Sequence, residues 1–377
     1  MDTITHALVG TAISDCWFRR RLGPAATPFA LIAGALPDID IVTYFIAPEY
    51  AWAHHRGYTH SFFPMLVAAP VLGGIMHLAT RRNGSWLLWS LLSVLCLFSH
   101  TIIDLVTSWG TMPLLPFSNA RISWDVAPVL DVFVFSLTCA SFVVNRVLRW
   151  ERIDSYLNPL KYPVVYRHPR RQRAGDWVGK VAVVLVVVYL LLGWHQNRQT
   201  VRQAREELIA AGINAVEVRA LPIMFTYIAW DIAARDAEGT VYNAVHSSLA
   251  PKPMLFVRHP TLPRGEIARE LAMPEGRMFE WYSQGMFVAD RQQLPGGSRV
   301  NLRDRRFFTL TSPDSSQFVM EFDKDAAGSI VAVRSVQRGL DGIDLGEELR
   351  RLWELTRHGR DAGATAAIID GNTTLTK

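Results

Sequence analysis

Histidines and aspartates stand inside sequence that is apolar enough for a lipid bilayer. Pro37-Asp38-Ile39-Asp40 interrupts the run Pro28–Ala47, and His100-Thr101-Ile102-Ile103-Asp104 closes the run Ser85–Ile103. An ionisable group at the centre of a membrane costs about 3 kcal/mol, so such groups persist where they pair, bind or react. Between the two motifs lies His54-His55-Arg56-Gly57-Tyr58-Thr59-His60-Ser61. Imidazole and carboxylate are the usual ligands of zinc and related divalent ions. The pattern points to a membrane-embedded metal centre.

Each motif has a plainer alternative. His100 and Asp104, four apart, share a helix face, which suits two ligands or a ligand with its orienting carboxylate; the alternative is a hydrogen-bonded pair closing the helix. Asp38 and Asp40 follow Pro37, and in extended or turning backbone they point different ways, so that one could bridge two ions. Asp40 could instead cap a continuing helix. His55 and His60 are the better ligands of the loop, with His54 open between ligand and neighbour. Arg56 suits a phosphate or carboxylate on a substrate, and Thr59 and Ser61 could hydrogen-bond to ligands. A solvated histidine-rich loop is the competing reading. Arg121, Asp125 and Asp131 could orient ligands, contact substrate or supply a general base; an Arg121–Asp125 salt bridge is the alternative. His6 reads by default as a core or interfacial histidine. His77, His168, His195, His246, His259 and His358 read as structural, and Cys16, Cys96 and Cys139 as small buried hydrophobes.

The elements that must position these groups are membrane helices. Phe62–Thr80, Ser85–Asp104, Pro128–Leu148 and Trp177–His195 are long and apolar enough to cross the hydrocarbon. Pro28–Ala47 is a fifth, broken at Pro37, and Thr3–Phe18 a short sixth that spans or only dips in. Residues 1–195 hold 16 Lys/Arg against 11 Asp/Glu and carry the whole net charge of +5. With six passes, 14 of those 16 cations fall on one side, in Arg19-Arg20-Arg21, Arg81-Arg82 and Arg146–Lys180. The positive-inside rule makes that side cytoplasmic and puts every proposed ligand on the other. The basic balance therefore reads as topology, and no nucleic-acid partner is expected. Met1 is expected to be retained, since the start lacks the cationic region of a cleaved signal.

Residues 196–377 are neutral overall, with 23 cations and 23 anions. They read as an amphipathic helix Gln196–Ala211, then strands Ala215–Ala220, Phe225–Ala234, Val241–Ser247, Met254–Val257, Phe307–Leu310, Phe318–Phe322 and Ile330–Val336. Turns are expected at Gly296-Gly297 and Asp341-Gly342, a closing helix over Leu345–Thr356 and a loose tail over Ala362–Lys377. The expected fold is an all-α polytopic membrane domain of five to six transmembrane helices over 1–195. A soluble, extracytoplasmic α+β domain follows over 196–377.

Thr5-His6-Ala7-Leu8, Leu36-Pro37-Asp38-Ile39-Asp40, His55-Arg56-Gly57-Tyr58-Thr59-His60-Ser61 and Ser99-His100 with Asp104 together resemble the YdjM/YbcI family of bacterial inner-membrane metal-dependent hydrolases. The stretch Asp104–Thr111, with Pro116-Phe117-Ser118, Arg121 and Asp125, resembles its YbcI-type branch. The match is strong over 1–135 and weak beyond. The family is distantly similar to zinc-dependent phospholipase C and P1-type nucleases, which implies phosphoester cleavage. The resemblance implies metal binding by His6, Asp38, Asp40, His55, His60, His100 and Asp104, with Arg56, Arg121 and Asp125 as catalytic groups. The cofactor is a divalent metal, zinc first, with manganese or iron as alternatives. The expected substrate is an ester or phosphoester, lipid-linked by virtue of the site's depth at the outer face of the inner membrane. Two other classes compete: a transporter lining a path with the same residues, and an assembly factor in which metal only staples helices.

Overall fold

A computed structural model describes residues 1–46, 50–82, 84–149, 169–307, 310, 316–337, 344–359 and 367–370. It divides into two compact units. One comprises Met1–Phe45, His54–Trp194 and Met224–Thr226; the other comprises Ile46–Ala53, His195–Ile223 and Tyr227–Lys377.

The first unit is a helical bundle. Among the described residues five helices are long and apolar enough to cross a membrane: Ala26–Ile46, Phe62–Ala79, Trp86–Leu105, Val132–Arg149 and Arg170–Ala210. We label the regular helices α1 (Thr3–Ile13), α2 (Ala26–Ala35), α3 (Phe62–Ala79), α4 (Trp86–Leu105), α5 (Val132–Arg149) and α6 (Pro169–Ala210). α1 runs on through a wide π-turn, Ser14–Phe18, to Leu22. At Pro37, where the sequence predicts a break, α2 tightens into a 3-10 segment, Leu36–Val42, before a last helical turn at Thr43–Ile46.

Small residues bring α1 against α2. A Cβ on Gly10 would stand 2.3 Å from the Ala30 carbonyl oxygen, and one on Gly34 would stand 2.6 Å from that of His6. Backbones meet there because nothing intervenes. Phe18, Leu22, Phe29, Trp89, Leu92 and Cys96 fill the adjoining core. The outward faces carry Leu66, Val67, Val71 and Ile75 on α3 and Val181, Val184, Val188 and Leu191 on α6, the surface a lipid-facing helix presents.

α6 corrects one expectation. The last span and the amphipathic helix after it form a single 42-residue helix, with no proline in its interior to separate them. Its distal end enters the second unit, where Ala204 and Leu208 pack on a sheet ordered β1 (Ala215–Pro222), β2 (Ala229–Asp236), β3 (Val241–Ser247), β4 (Leu255–His259) and β9 (Ala367–Asp370). Trp230, Ile232 and Ala234 of β2 face that helix. Ala229 and Ala233 face the other way, Ala229 towards Leu355 of the helix Leu345–His358. β4 and β9 pair in parallel, so part of the predicted loose tail is a strand.

A second sheet is the antiparallel meander β5 (Phe287–Leu294), β6 (Gly297–Asp304), β7 (Phe318–Asp325) and β8 (Ile330–Gln337). Helix α7 (Pro274–Ser283) precedes it. The sequence reading missed α7 and the β5–β6 pair, though it placed their turn at Gly296-Gly297. The strand expected from Phe225 begins at Ala229 instead; Phe225 has φ +78 in a loop. The predicted strand Phe307–Leu310 lies partly, and the turn Asp341-Gly342 wholly, outside the described residues.

Candidate metal centre

Asp2 caps α1 by accepting from the Thr5 amide, which places His6 one turn in. His6 is 1 % exposed; its Nε2 lies 3.1 Å from Asp104 Oδ1 and its ring stacks on His100 with centroids 3.6 Å apart. His100 and Asp104 project from one face of α4, four apart. His100 Nδ1 lies 2.7 Å from the Gly34 carbonyl oxygen. That contact makes Nδ1 the donor and leaves the Nε2 lone pair turned inward. His100 Nε2 is 3.4 Å from Asp38 Oδ1, 3.4 Å from Asp104 Oδ2 and 3.0 Å from His60 Nε2.

The 3-10 turn after Pro37 separates the two aspartates as the motif suggested. Asp38 Oδ2 accepts from Thr3 Oγ1 at 2.6 Å, and its Oδ1 lies 3.3 Å from His60 Nε2. Asp40 turns to the loop: it accepts from His55 Nδ1 at 2.8 Å, the Arg56 amide at 2.9 Å and Thr59 Oγ1 at 3.1 Å. Its carboxylate thus folds the loop onto the bundle, and the capping alternative does not describe it. His60 Nε2 is also 3.3 Å from Asp104 Oδ2.

Asp104 is fully buried. Its Oδ1 receives Arg56 Nη2 at 3.0 Å and the amino group of Met1, whereas its Oδ2 has no hydrogen bond despite its burial. Two imidazole nitrogens converge on carboxylate oxygens, one of them an orphan, and this is a donor set that fits a divalent cation. Single ligand atoms of Asp38, His60, His100 and Asp104 lie within 4.8 Å of one another, as do those of Asp38, Asp40 and His55. Asp38 belongs to both groups.

The electrostatics agree. Burial alone would discharge His60, but Asp104, Asp38 and Asp40 override it and push its pKa up to about 10. The three carboxylates thus favour the charged form of this imidazole. His55 moves the other way, lowered by burial despite its bond to Asp40.

The remaining expected site residues surround this core. Arg56 has φ +67, is 2 % exposed and donates to Thr107 Oγ1 at 2.7 Å besides Asp104. Arg121 donates to the carbonyls of His55 and Trp109 at 3.2 and 3.3 Å. Asp125, at φ +55, sits between Trp124 and Val126, whose amides donate to Leu105 and Val106; it is in neither ligand group. Asp131 is an N-cap, accepting from the Val134 amide and from the Tyr189 hydroxyl. Sequence reasoning overlooked Thr3, Thr107, the Met1 amine and the Gly34 carbonyl. The two threonines were readable as polar residues within apolar runs; a backbone carbonyl leaves no such signal.

The opposite end of the bundle holds a different cluster. Asp15 pairs with Arg146 at 2.8 Å and Arg149 at 3.7 Å, and Asp176 pairs with Arg20 at 2.9 Å and Arg149 at 3.4 Å. These carboxylates are neutralised by arginine, with no histidine among them.

A family model described as YdjM inner membrane protein matches residues 1–200. A relative among curated proteins, the uncharacterized protein YfhP of Bacillus subtilis, is 27 % identical over 154 residues, 38 % of this chain and 46 % of the relative. The chain therefore spans less than half the length of that relative. No solved structure matches. A bundle of membrane-length helices, a buried histidine–aspartate cluster and a family match over more than half the sequence agree: the chain belongs to the YdjM family of inner membrane proteins.

Proposed function

We propose that this protein is a membrane-embedded, metal-dependent hydrolase acting on an ester or phosphoester, lipid-linked, at the outer face of the inner membrane. The observation that carries this reading is the pair of ligand groups sharing Asp38. One buried carboxylate serving two adjacent clusters is the arrangement of a dinuclear hydrolytic site. Asp38, His60, His100 and Asp104 would hold one ion; Asp40 and His55, sharing Asp38, would hold a second. Bound metal supplies an acidified water and a Lewis acid for the ester oxygen. The chain's own groups do the rest. His6 and the Gly34 carbonyl orient Asp104 and His100, while Asp40 fixes the loop. Arg56 and Arg121 place positive charge beside the ligands for an anionic substrate group. Asp125, in a loop whose neighbouring amides donate to the carbonyls at the end of α4, is the carboxylate we assign to proton transfer.

The arginine pairs at the far end favour this reading over a transporter. A permeation path needs polar groups available through the membrane depth, whereas Asp15 and Asp176 are bound to guanidinium groups. The test is metal content of the detergent-purified protein by elemental mass spectrometry, beside His60→Ala/Asp104→Ala. One to two equivalents of zinc, manganese or iron in the wild type, lost in the variant, support the centre and justify a phosphoester screen. Equal absence of metal from both, in buffers free of chelator, would sink the hydrolase.

A further inference from the structure

The loop bearing His55, Arg56 and His60 has a second attachment. Trp52, three residues before His55, is 1 % exposed, and Ala51 and Ala53 on either side are buried. Its ring lies 4.4 Å from Tyr282, 5.8 Å from Phe318 and 6.2 Å from Phe279, centroid to centroid. Its indole N–H donates to Ser335 Oγ at 2.8 Å. Those partners come from α7, β7 and β8, so this residue of the N-terminal half is a core residue of the C-terminal domain. A tryptophan in a short loop between membrane helices would ordinarily sit in the headgroup belt with its N–H wet.

The connection has little slack. Ala51–His54 is a helical turn, and three residues span at most about 10 Å even when extended. Beyond it the chain enters the left-handed conformation of Arg56, whose amide is held by Asp40. The segment carrying His55, Arg56 and His60 thus starts three residues after a side chain packed in the second unit's own core, and Asp40 holds its Arg56 amide. Ligands held by packed neighbours bind more tightly because less freedom is lost on binding.

We propose that Trp52 is a positioning residue for the metal centre: the C-terminal domain grips it and thereby holds His55, Arg56 and His60 in place. The effect on affinity rests on the metal-centre reading above; the anchoring of the loop does not.

The experiment uses the full chain in detergent or nanodiscs, with Zn²⁺ titrated against a competing chelator and hydrogen–deuterium exchange read over residues 54–61. Trp52→Ala should weaken Zn²⁺ binding by roughly 10- to 100-fold, the range seen when groups that orient ligands are lost, and should speed exchange over 54–61. Trp52→Phe should restore most of both. Phe256→Ala, which cuts the core of the first sheet, should leave both unchanged. Unaltered exchange in Trp52→Ala overturns the proposal whatever the metal does, and so does an equal response to Phe256→Ala. Faster exchange in a protein whose wild type takes up no zinc supports the anchoring and overturns the metal centre. Should Trp52→Ala fail to fold, Ser335→Ala removes only the indole's acceptor; unchanged exchange there would likewise count against the proposal.

Discussion

His60 meets Asp38, Asp40 and Asp104, each within 3.3 Å. Even a doubly protonated imidazole donates only two hydrogen bonds, so three close carboxylates are more than it can satisfy unaided. That surplus of acceptors separates the cluster from a structural hydrogen-bond network and makes its members unequal. Asp38 belongs to both ligand groups, while Asp40 and His55 belong to one. Asp38→Ala should therefore abolish all tight metal binding. His55→Ala should remove only the second equivalent and leave the first within about a factor of ten of wild type. Stepwise titration with metal counting separates the two, and loss of both equivalents in His55→Ala would refute the division of the site into two ion positions.

At the scale of elements, the contact of α1 with α2 governs the centre through Gly34. This residue gives α1 room and also offers its carbonyl to His100. Gly34→Ala forces the helices apart; overpacking of this kind costs about 1–3 kcal/mol. It should lower the melting temperature and weaken metal binding together. Ala30→Gly, in the same contact but away from the ligands, should affect stability alone. The sheets give a pH prediction. His259 on β4 is held down to about 3 by burial and by Arg305, which donates to its Nε2 at 2.9 Å. Because the folded pKa lies below the ordinary value, stability is full above pH 6.5 and is lost as pH falls towards 3, by at most about 4–5 kcal/mol. Buried Asp231, raised by desolvation with Arg305 opposing, acts with the opposite sign and weakens the fold as pH rises. His259→Gln keeps an acceptor for Arg305 and should flatten the acid limb, read by hydrogen exchange over Leu255–His259 at pH 7 and pH 5.

The same elements show what sequence could reveal. Membrane helices announced themselves through unbroken apolar runs, and Asp38, His100 and Asp104 of the buried cluster through their cost within those runs. The β5–β6 pair did not. Asp290 on β5 binds Asn301 and Arg303 on β6, so its polar face is satisfied across strands and leaves only a faint alternation. Trp52 carried no signal in the sequence, because its partners lie more than two hundred residues away.

At the scale of the molecule, the chain crosses between two chemically distinct ends. Met1, Asp38, His60 and Asp104 meet at one end; Arg20, Arg146, Arg149 and Asp176 meet at the other. α1 with its extension starts at the ligand end and finishes among the arginines, so it traverses the bundle as the five longer helices do. Six traverses return the chain to the ligand end, and the ring of Trp194, at the close of the last, lies 5.8 Å from that of Trp124 beside the end of α4. Arginine clusters at helix ends stay in the cytoplasm because their translocation is disfavoured. The ligand end and residues 196–377 should therefore face outward. In a bacterial host, alkaline phosphatase fused at the C-terminus should be active and a green fluorescent protein fused there dark. The reverse result would place the arginines outside and the histidines towards the cytoplasm, and a substrate from the outer leaflet would then be untenable.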